Sequence, residues 1–144
     1  MTTYFDTSAV VKLLVQEEDS AQARGLWDGA SAAVTSRLAY PESRAALAAA
    51  RRGGRLTKGS LDAAKRILDR VWAQVHVVEL TSEIAVAAGD LAERFALRGY
   101  DAVHLASAIS LGTGSAILAT WDDDLAVAAG RAGLNTAPPR KPKV

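Results

Sequence analysis

The chain has 144 residues, a length that suits one domain able to bury roughly two-thirds of its surface on folding. Apolar residues make up 49% and charged residues 23%, as in ordinary globular proteins, and the net charge of +1 is uninformative by itself. The absence of cysteine excludes disulfides and thiolate metal sites and suits a reducing cytosol. No basic secretory n-region and no uncharged run near the ~20 residues of a spanning helix are present, so we expect a cytoplasmic protein without membrane contact.

Short apolar runs alternate with longer helical patterns along the chain. The runs predict strands at Thr2–Phe5, Ala32–Val34, Val75–Leu80 and Ala116–Ala119, and a fifth strand at the edge of the sheet at Leu134–Ala137. Apolar residues at helical spacing predict helices over Thr7–Glu18, Ser20–Gly29, Arg37–Arg52, Thr57 or Ser60 to Trp72, Glu83–Leu97, Asp101–Leu111 and Asp123–Ala129. This alternation predicts an α/β fold, a three-layer α/β/α domain over residues 1–137 with a mostly parallel sheet of four to five strands. Residues 138–144 form a basic C-terminal tail that we expect to be mobile.

Acidic residues follow the predicted strands, at the edge where open parallel sheets place their sites. Each acid has a plain structural explanation, because carboxylates cap helices and favour the positive end of the helix dipole. A carboxylate that ends a buried strand is harder to explain in this way, since its desolvation must be offset by partners. The acids at this edge are Asp6, Glu42, Asp101 and the triplet Asp122, Asp123 and Asp124.

Taken together, the acids indicate a cation site better than a set of caps. Several carboxylates at one edge would raise one another's pKa unless a cation kept them ionised. Oxygen ligands without cysteine or a histidine pair suit Mg²⁺ or Mn²⁺, and such ions bind substrate phosphates, which points to phosphodiester chemistry. One aspartate of the triplet could then face the metal while a neighbour caps the short helix that follows.

Four stretches of this sequence resemble PIN-domain ribonucleases, and more narrowly the VapC toxins of type II toxin–antitoxin systems. They are YFDTSA in the first strand, Pro41-Glu42, YDAVHLASA at Tyr100–Ala108 and ATWDDDLA at Ala119–Ala126. The likeness covers nearly the whole chain in the family's order. It implies a homodimeric, Mg²⁺-dependent endoribonuclease (Mn²⁺ can substitute) that cleaves RNA with a metal-activated water. It also implies a VapB-type antitoxin whose C-terminal segment covers the site.

The resemblance also assigns roles to residues. Asp6 and Asp101 match the family's metal ligands, and Glu42 and Asp122 match acids that orient water or a second ion. Asp124 competes with Asp122 for the last place, because related sequences carry a second acid nearby. Two hydroxyl positions that support the acids match Ser8 and Thr120.

Other residues allow more than one interpretation. A structural role is favoured for His104 over a catalytic one. Trp121 is the best candidate for stacking on a base. A basic stretch in the middle of the chain is either a solvated hairpin or a surface for RNA phosphates, to which tail residues Arg140, Lys141 and Lys143 could add. Two alternative functions remain: a catalytically weak RNA- or partner-binding PIN module, and, more distantly, a phospho-accepting receiver-like domain.

Overall fold

The computed structural model of the protein describes residues 1–140. One five-stranded sheet runs in the order β3-β2-β1-β4-β5, and all four pairings are parallel. The strands are β1 (Thr2–Phe5), β2 (Ala32–Ser36), β3 (His76–Val78), β4 (Ala116–Ala119) and β5 (Asn135–Ala137). The helices are α1 (Thr7–Leu14), α2 (Ser20–Gly29), α3 (Ala39–Arg52), α4 (Lys58–Gln74), α5 (Ser82–Phe95), α6 (Gly99–Ile109) and α7 (Asp123–Arg131).

The two faces of the sheet carry separate apolar cores, which confirms the predicted three layers. Successive residues of β1 point to opposite faces, so Tyr4 packs with α6 and α7 while Phe5 packs with α1, α3 and α4. Both side chains are fully buried. Because both faces are covered, the strands consist largely of apolar and small residues and contain no Asp, Glu, Lys or Arg.

Several helix boundaries differ from the sequence prediction by a few residues. Helix α1 ends at Leu14, before Glu17 and Glu18. Lys12 donates to the carboxylate of Glu17 and to the backbone carbonyl of Glu18. Helix α3 begins at Ala39, because Ser36 first caps the turn by accepting the N–H of Leu38. The break predicted at Gly99-Tyr100 lies instead at Ala96, whose left-handed backbone (φ 53°) ends α5, and α6 already begins at Gly99.

The strand order creates a crevice at the end of β1 and β4. These two strands are direct neighbours, with Phe5 paired to Ala119, and the chain winds away from them in opposite directions. Open α/β sheets bind ligands where the winding reverses, at the carboxyl ends of the strands. The order also differs from the 2-1-3-4-5 order of receiver domains, which makes the receiver-like alternative wrong. Among the helices of residues 1–140, none combines the length and the apolar character that crossing a membrane requires.

Candidate active site at the carboxyl edge of the sheet

Asp6 follows β1 directly and lies buried at the floor of the crevice, only 4% exposed. Three donors reach its carboxylate: the hydroxyl of Ser8 at 2.6 Å, the hydroxyl of Thr120 at 2.5 Å and the backbone N–H of Ala9 at 3.0 Å. Burial raises the pKa of Asp6, and the nearby charge of His104 and these hydrogen bonds offset that rise only in part. A cation beside Asp6 would therefore stabilise the ionised form of this carboxylate.

The two hydroxyl residues beside Asp6 also shape the loop after β4. Thr120 accepts the N–H of Asp122, and Ser8 accepts the N–H of Trp121. Each side chain thus donates to the carboxylate and accepts from the backbone of the loop. The loop that carries the aspartate triplet is tied to Asp6 in this way.

Glu42 on α3 ends a buried chain of hydrogen bonds that begins on β1. The imidazole of His104 lies between the hydroxyl of Tyr4, 2.7 Å from Nδ1, and the carboxylate of Glu42, 2.7 Å from Nε2. Because the carboxylate can only accept, Nε2 of His104 carries a hydrogen and donates it to Glu42. Thr7 donates a second bond to Glu42, at 2.6 Å.

This network fixes the charge of Glu42. Burial alone would raise its pKa, but the hydrogen bonds from His104 and Thr7, with the positive charges of His104 and Arg98, bring the pKa below its usual range. The burial of His104, 2% exposed, fits the structural role predicted for it. Its ring orients an acid instead of facing solvent.

Asp101 and Asp122 form the outer part of the site and share one counter-ion. The guanidinium of Arg98 donates from Nε to Asp101 Oδ2 at 3.0 Å, and its Nη2 lies 3.5 Å from Asp122 Oδ2. Burial raises the pKa of Asp101, the hydrogen bond from Arg98 opposes that shift, and the charge of Asp122 adds to it. The two carboxylates therefore lie close enough to repel each other.

The three aspartates of the triplet have different surroundings. Asp122 caps α7 through Oδ1, which accepts the N–H of Leu125 at 3.0 Å, and presents Oδ2 to Arg98. Asp122 therefore caps the helix and also lies beside the guanidinium that pairs with Asp101. Asp123 is exposed and pairs with Arg140, whereas Asp124 lies beside a separate groove next to Phe95, Leu97 and Arg131.

Trp121 and Arg140 lie at the loop after β4, and within residues 1–140 neither pairs with the carboxylate of Asp6, Glu42, Asp101 or Asp122. The Trp121 indole donates to Asp19 at 3.2 Å, and the ammonium of Lys12 lies 5.5 Å from its ring centre. Its ring is partly buried against the core of α1, α3 and α4. Arg140 donates to the backbone carbonyls of Thr120 and Asp122. The tail residues Lys141 and Lys143, also predicted as RNA contacts, lie outside the described residues.

The donor chemistry of the site fits a hard divalent cation. It offers carboxylate and hydroxyl oxygens, and burial raises the pKa of Asp6 and Asp101. Within residues 1–140, no three His, Asp or Glu side chains stand as a ready metal-holding group. A site of two protein carboxylates completed by water is the arrangement that Mg²⁺ commonly accepts.

Comparison with known proteins identifies the family. The family model described as "PIN domain" matches residues 3–131. Ribonuclease VapC45 of Mycobacterium tuberculosis is 52% identical over 135 residues, which cover 94% of each chain. The chain belongs to the VapC family of PIN-domain proteins. The resemblance found in the sequence is thereby confirmed.

Solved structures of other proteins share this fold. PAE2754 from Pyrobaculum aerophilum superposes with a TM-score of 0.70 at 22% identity, over 94% of this chain and 83% of its own. VapBC2 from Rickettsia felis, solved bound to a DNA fragment from its promoter, gives a TM-score of 0.64 at 13% identity, over 94% and 97%. At these identities the likeness concerns the fold, and it agrees with the predicted α/β/α architecture.

Sequence reasoning missed three side chains of the site: Thr7 and Arg98, which contact the acids, and Tyr4, which contacts His104. Thr7 directly follows Asp6, and Arg98 precedes Asp101 by three residues, a spacing at which side chains meet on a helix. Those spacings could have indicated both residues. Tyr4 carried no such signal, because its partner His104 is 100 positions away.

Proposed function

We propose that this chain is a divalent-metal-dependent endoribonuclease, the toxin of a VapBC-type toxin–antitoxin pair, and that it acts in the cytoplasm. The observation that carries the proposal is Asp6, a carboxylate buried at the end of the central strand and held by two hydroxyls. Burying a carboxylate of this kind costs stability, so its presence in a crevice indicates a function that requires it. The name of the relative at 52% identity, a ribonuclease, supports the same activity.

We assign the metal to Asp6 and Asp101, with Mg²⁺ or Mn²⁺ as the ion. When bound, the ion would lower the pKa of a water and stabilise negative charge at the attacked phosphorus. Glu42 would accept a proton from the attacking water, because its lowered pKa keeps the carboxylate ionised and His104 and Thr7 hold it in place. Asp122 would orient water at the outer side of the site. Ser8 and Thr120 would keep Asp6 in place.

The long hairpin of α3 and α4 is the proposed surface for the RNA backbone. Its basic residues are mostly exposed, so they are free to contact phosphates. Cleavage should then weaken as salt concentration rises, because RNA binding would release counter-ions. The residues concerned are Arg51, Arg52, Arg55, Lys58, Lys65, Arg66 and Arg70.

We further propose two protein partners: a VapB-type antitoxin and a second copy of this chain. The antitoxin is supported by the family assignment and by structural neighbours solved as toxin–antitoxin complexes, including one from Klebsiella pneumoniae. Co-expression with the protein encoded by an adjacent reading frame, followed by size-exclusion chromatography, tests both partners. Failure to co-purify would contradict the toxin–antitoxin assignment, and a monomeric mass would contradict the homodimer.

The decisive experiment is cleavage of structured RNA by purified protein with and without Mg²⁺ or Mn²⁺. We expect activity only with the ion, and its loss in Asp6→Asn and in Asp101→Asn. Asp28→Asn is the matched control, because it removes the same charge from an exposed position on α2. Cleavage that persists in both site variants would discard the proposed ligands.

A catalytically weak RNA- or partner-binding module is the second candidate. It is favoured by the absence of a ready three-residue metal group within residues 1–140 and by the guanidinium that already pairs with Asp101. Such a module would keep its RNA affinity in EDTA and would cleave nothing with any divalent ion. The same cleavage assay therefore separates the two functions.

A further inference from the structure

Arg98 connects two acids that come from different parts of the chain. It lies in extended backbone just before α6 (φ −64°, ψ 151°), and its guanidinium pairs with Asp101 on α6 and with Asp122 at the start of α7. The guanidinium carbon also lies 4.8 Å from the centre of the Tyr100 ring. Three contacts thus hold one cation over the outer acids.

The exposures show on which side of the acids this cation lies. The side chain of Arg98 is 64% exposed, whereas those of Asp101 and Asp122 are 14% and 27% exposed. The guanidinium therefore lies on the solvent side of the carboxylates, across the approach to the crevice. Within residues 1–140 it is the cationic side chain that forms salt bridges with these two acids.

We propose that Arg98 is an internal counter-ion that a divalent cation displaces from Asp101 and that then binds a phosphate of the RNA. This inference rests on the proposed metal-dependent ribonuclease function. A guanidinium and a divalent ion repel each other, so they compete for the same carboxylate. Exposed ion pairs are weak, so this one can be broken at small cost.

The released side chain remains suited to a second task. Stacking on Tyr100 keeps the guanidinium at the mouth of the crevice after its carboxylate partner is lost. Its planar fork of N–H donors matches the oxygens of a phosphate. Metal binding would therefore expose a phosphate contact beside the reacting bond, and it would couple the affinity for the ion to the affinity for RNA.

Arg94 supplies a matched control for this test. Its guanidinium carbon lies 4.8 Å from the Phe95 ring centre, the same stacking distance, and it has no salt bridge to an acid within residues 1–140. Arg94→Met and Arg98→Met each remove one exposed, stacked arginine and one positive charge. Only Arg98→Met removes a cation from Asp101.

The first measurement is Mn²⁺ affinity of the purified protein by calorimetry. We expect Arg98→Met to bind Mn²⁺ about two- to five-fold more tightly than wild type, because metal binding no longer has to break the ion pair between Arg98 and Asp101. Arg94→Met should bind Mn²⁺ as tightly as wild type. Equal or weaker binding by Arg98→Met would overturn the competition. A wild-type protein that binds no Mn²⁺ would overturn the proposed function as well, which keeps the two failures distinct.

The second measurement is the split between KM and kcat on an RNA that the wild type cleaves. We expect Arg98→Met to raise KM about two- to five-fold, because a phosphate contact is lost, with kcat changed less. Arg94→Met should leave KM unchanged. An unchanged KM in Arg98→Met would show that the released guanidinium does not contact RNA, and it would overturn that half of the proposal.

Discussion

Replacing Thr120 by valine tests the electrostatics of the buried carboxylate most directly. The change keeps the shape of the side chain but removes the hydroxyl that donates to Asp6 and accepts the N–H of Asp122. A hydrogen bond to a charged group contributes about 1.5–3 kcal/mol, and one from a backbone N–H about 1 kcal/mol. We therefore expect the free energy of unfolding to fall by about 3 kcal/mol near neutral pH, a large share of the 5–15 kcal/mol typical of a domain.

The effect of this substitution should depend on pH. Burial raises the pKa of Asp6 in the folded state, so the ionised carboxylate costs stability, and that cost appears as pH rises from the unfolded-state pKa through the folded-state pKa. The Thr120 hydroxyl lowers the folded-state pKa, so its loss enlarges this cost at high pH. Below the folded-state pKa, Asp6 is protonated in both proteins, and the difference should shrink to about 1–1.5 kcal/mol.

Thr35→Val is the matched control. Thr35 is also fully buried at the end of a strand, but its hydroxyl donates to a neutral group, the carbonyl of Phe5, at 2.6 Å. Its loss should cost about 1 kcal/mol at every pH at which the protein is folded. Urea unfolding of both variants at about pH 4 and about pH 7 measures the contrast. A Thr120→Val cost that does not change with pH, or that equals the Thr35→Val cost, would refute the argument.

Two further predictions concern the acids and their support. Asp122→Asn should reduce RNA cleavage about 10-fold or more while Asp124→Asn leaves it nearly unchanged, because Asp122 lies beside Asp101 and Asp124 lies at a separate groove; comparable losses in both would contradict this assignment. Tyr4→Phe should lower the free energy of unfolding by about 1 kcal/mol and lower kcat with little change in KM, because His104 loses a buried partner and orients Glu42 less well. An unchanged kcat in Tyr4→Phe would show that the hydrogen-bond chain is only structural.

The periodicity of the sequence alone was enough to predict the architecture. Apolar runs separated by helical segments require a parallel sheet covered on both faces, and the ends of parallel strands meet at one edge. That reasoning was sufficient to bring Asp6, Glu42, Asp101 and Asp122 together in the prediction. The cause is local: strand length, helical spacing and turn residues all act over a few neighbouring positions.

The choice between Asp122 and Asp124 depended on the tertiary structure. Residues two apart on a helix point in nearly opposite directions, so once α7 packs through Leu125 only one of the two acids can face the crevice. The orientation of α7 depends on how it packs against the sheet, which local patterns do not encode. Sequence reasoning therefore left this position ambiguous.

The support of Glu42 and the counter-ion of Asp101 were likewise visible only in three dimensions. The hydrogen-bond chain joins Tyr4 and Glu42 to His104, which is 100 positions from Tyr4 and 62 positions from Glu42 along the sequence. Arg98 is close to Asp101 in sequence, but its contact with Asp122 needs α6 and α7 to start at the same edge. Sequence determined which chemical groups reach the crevice, and packing decided which of them touch, because contacts between distant residues depend on the whole fold.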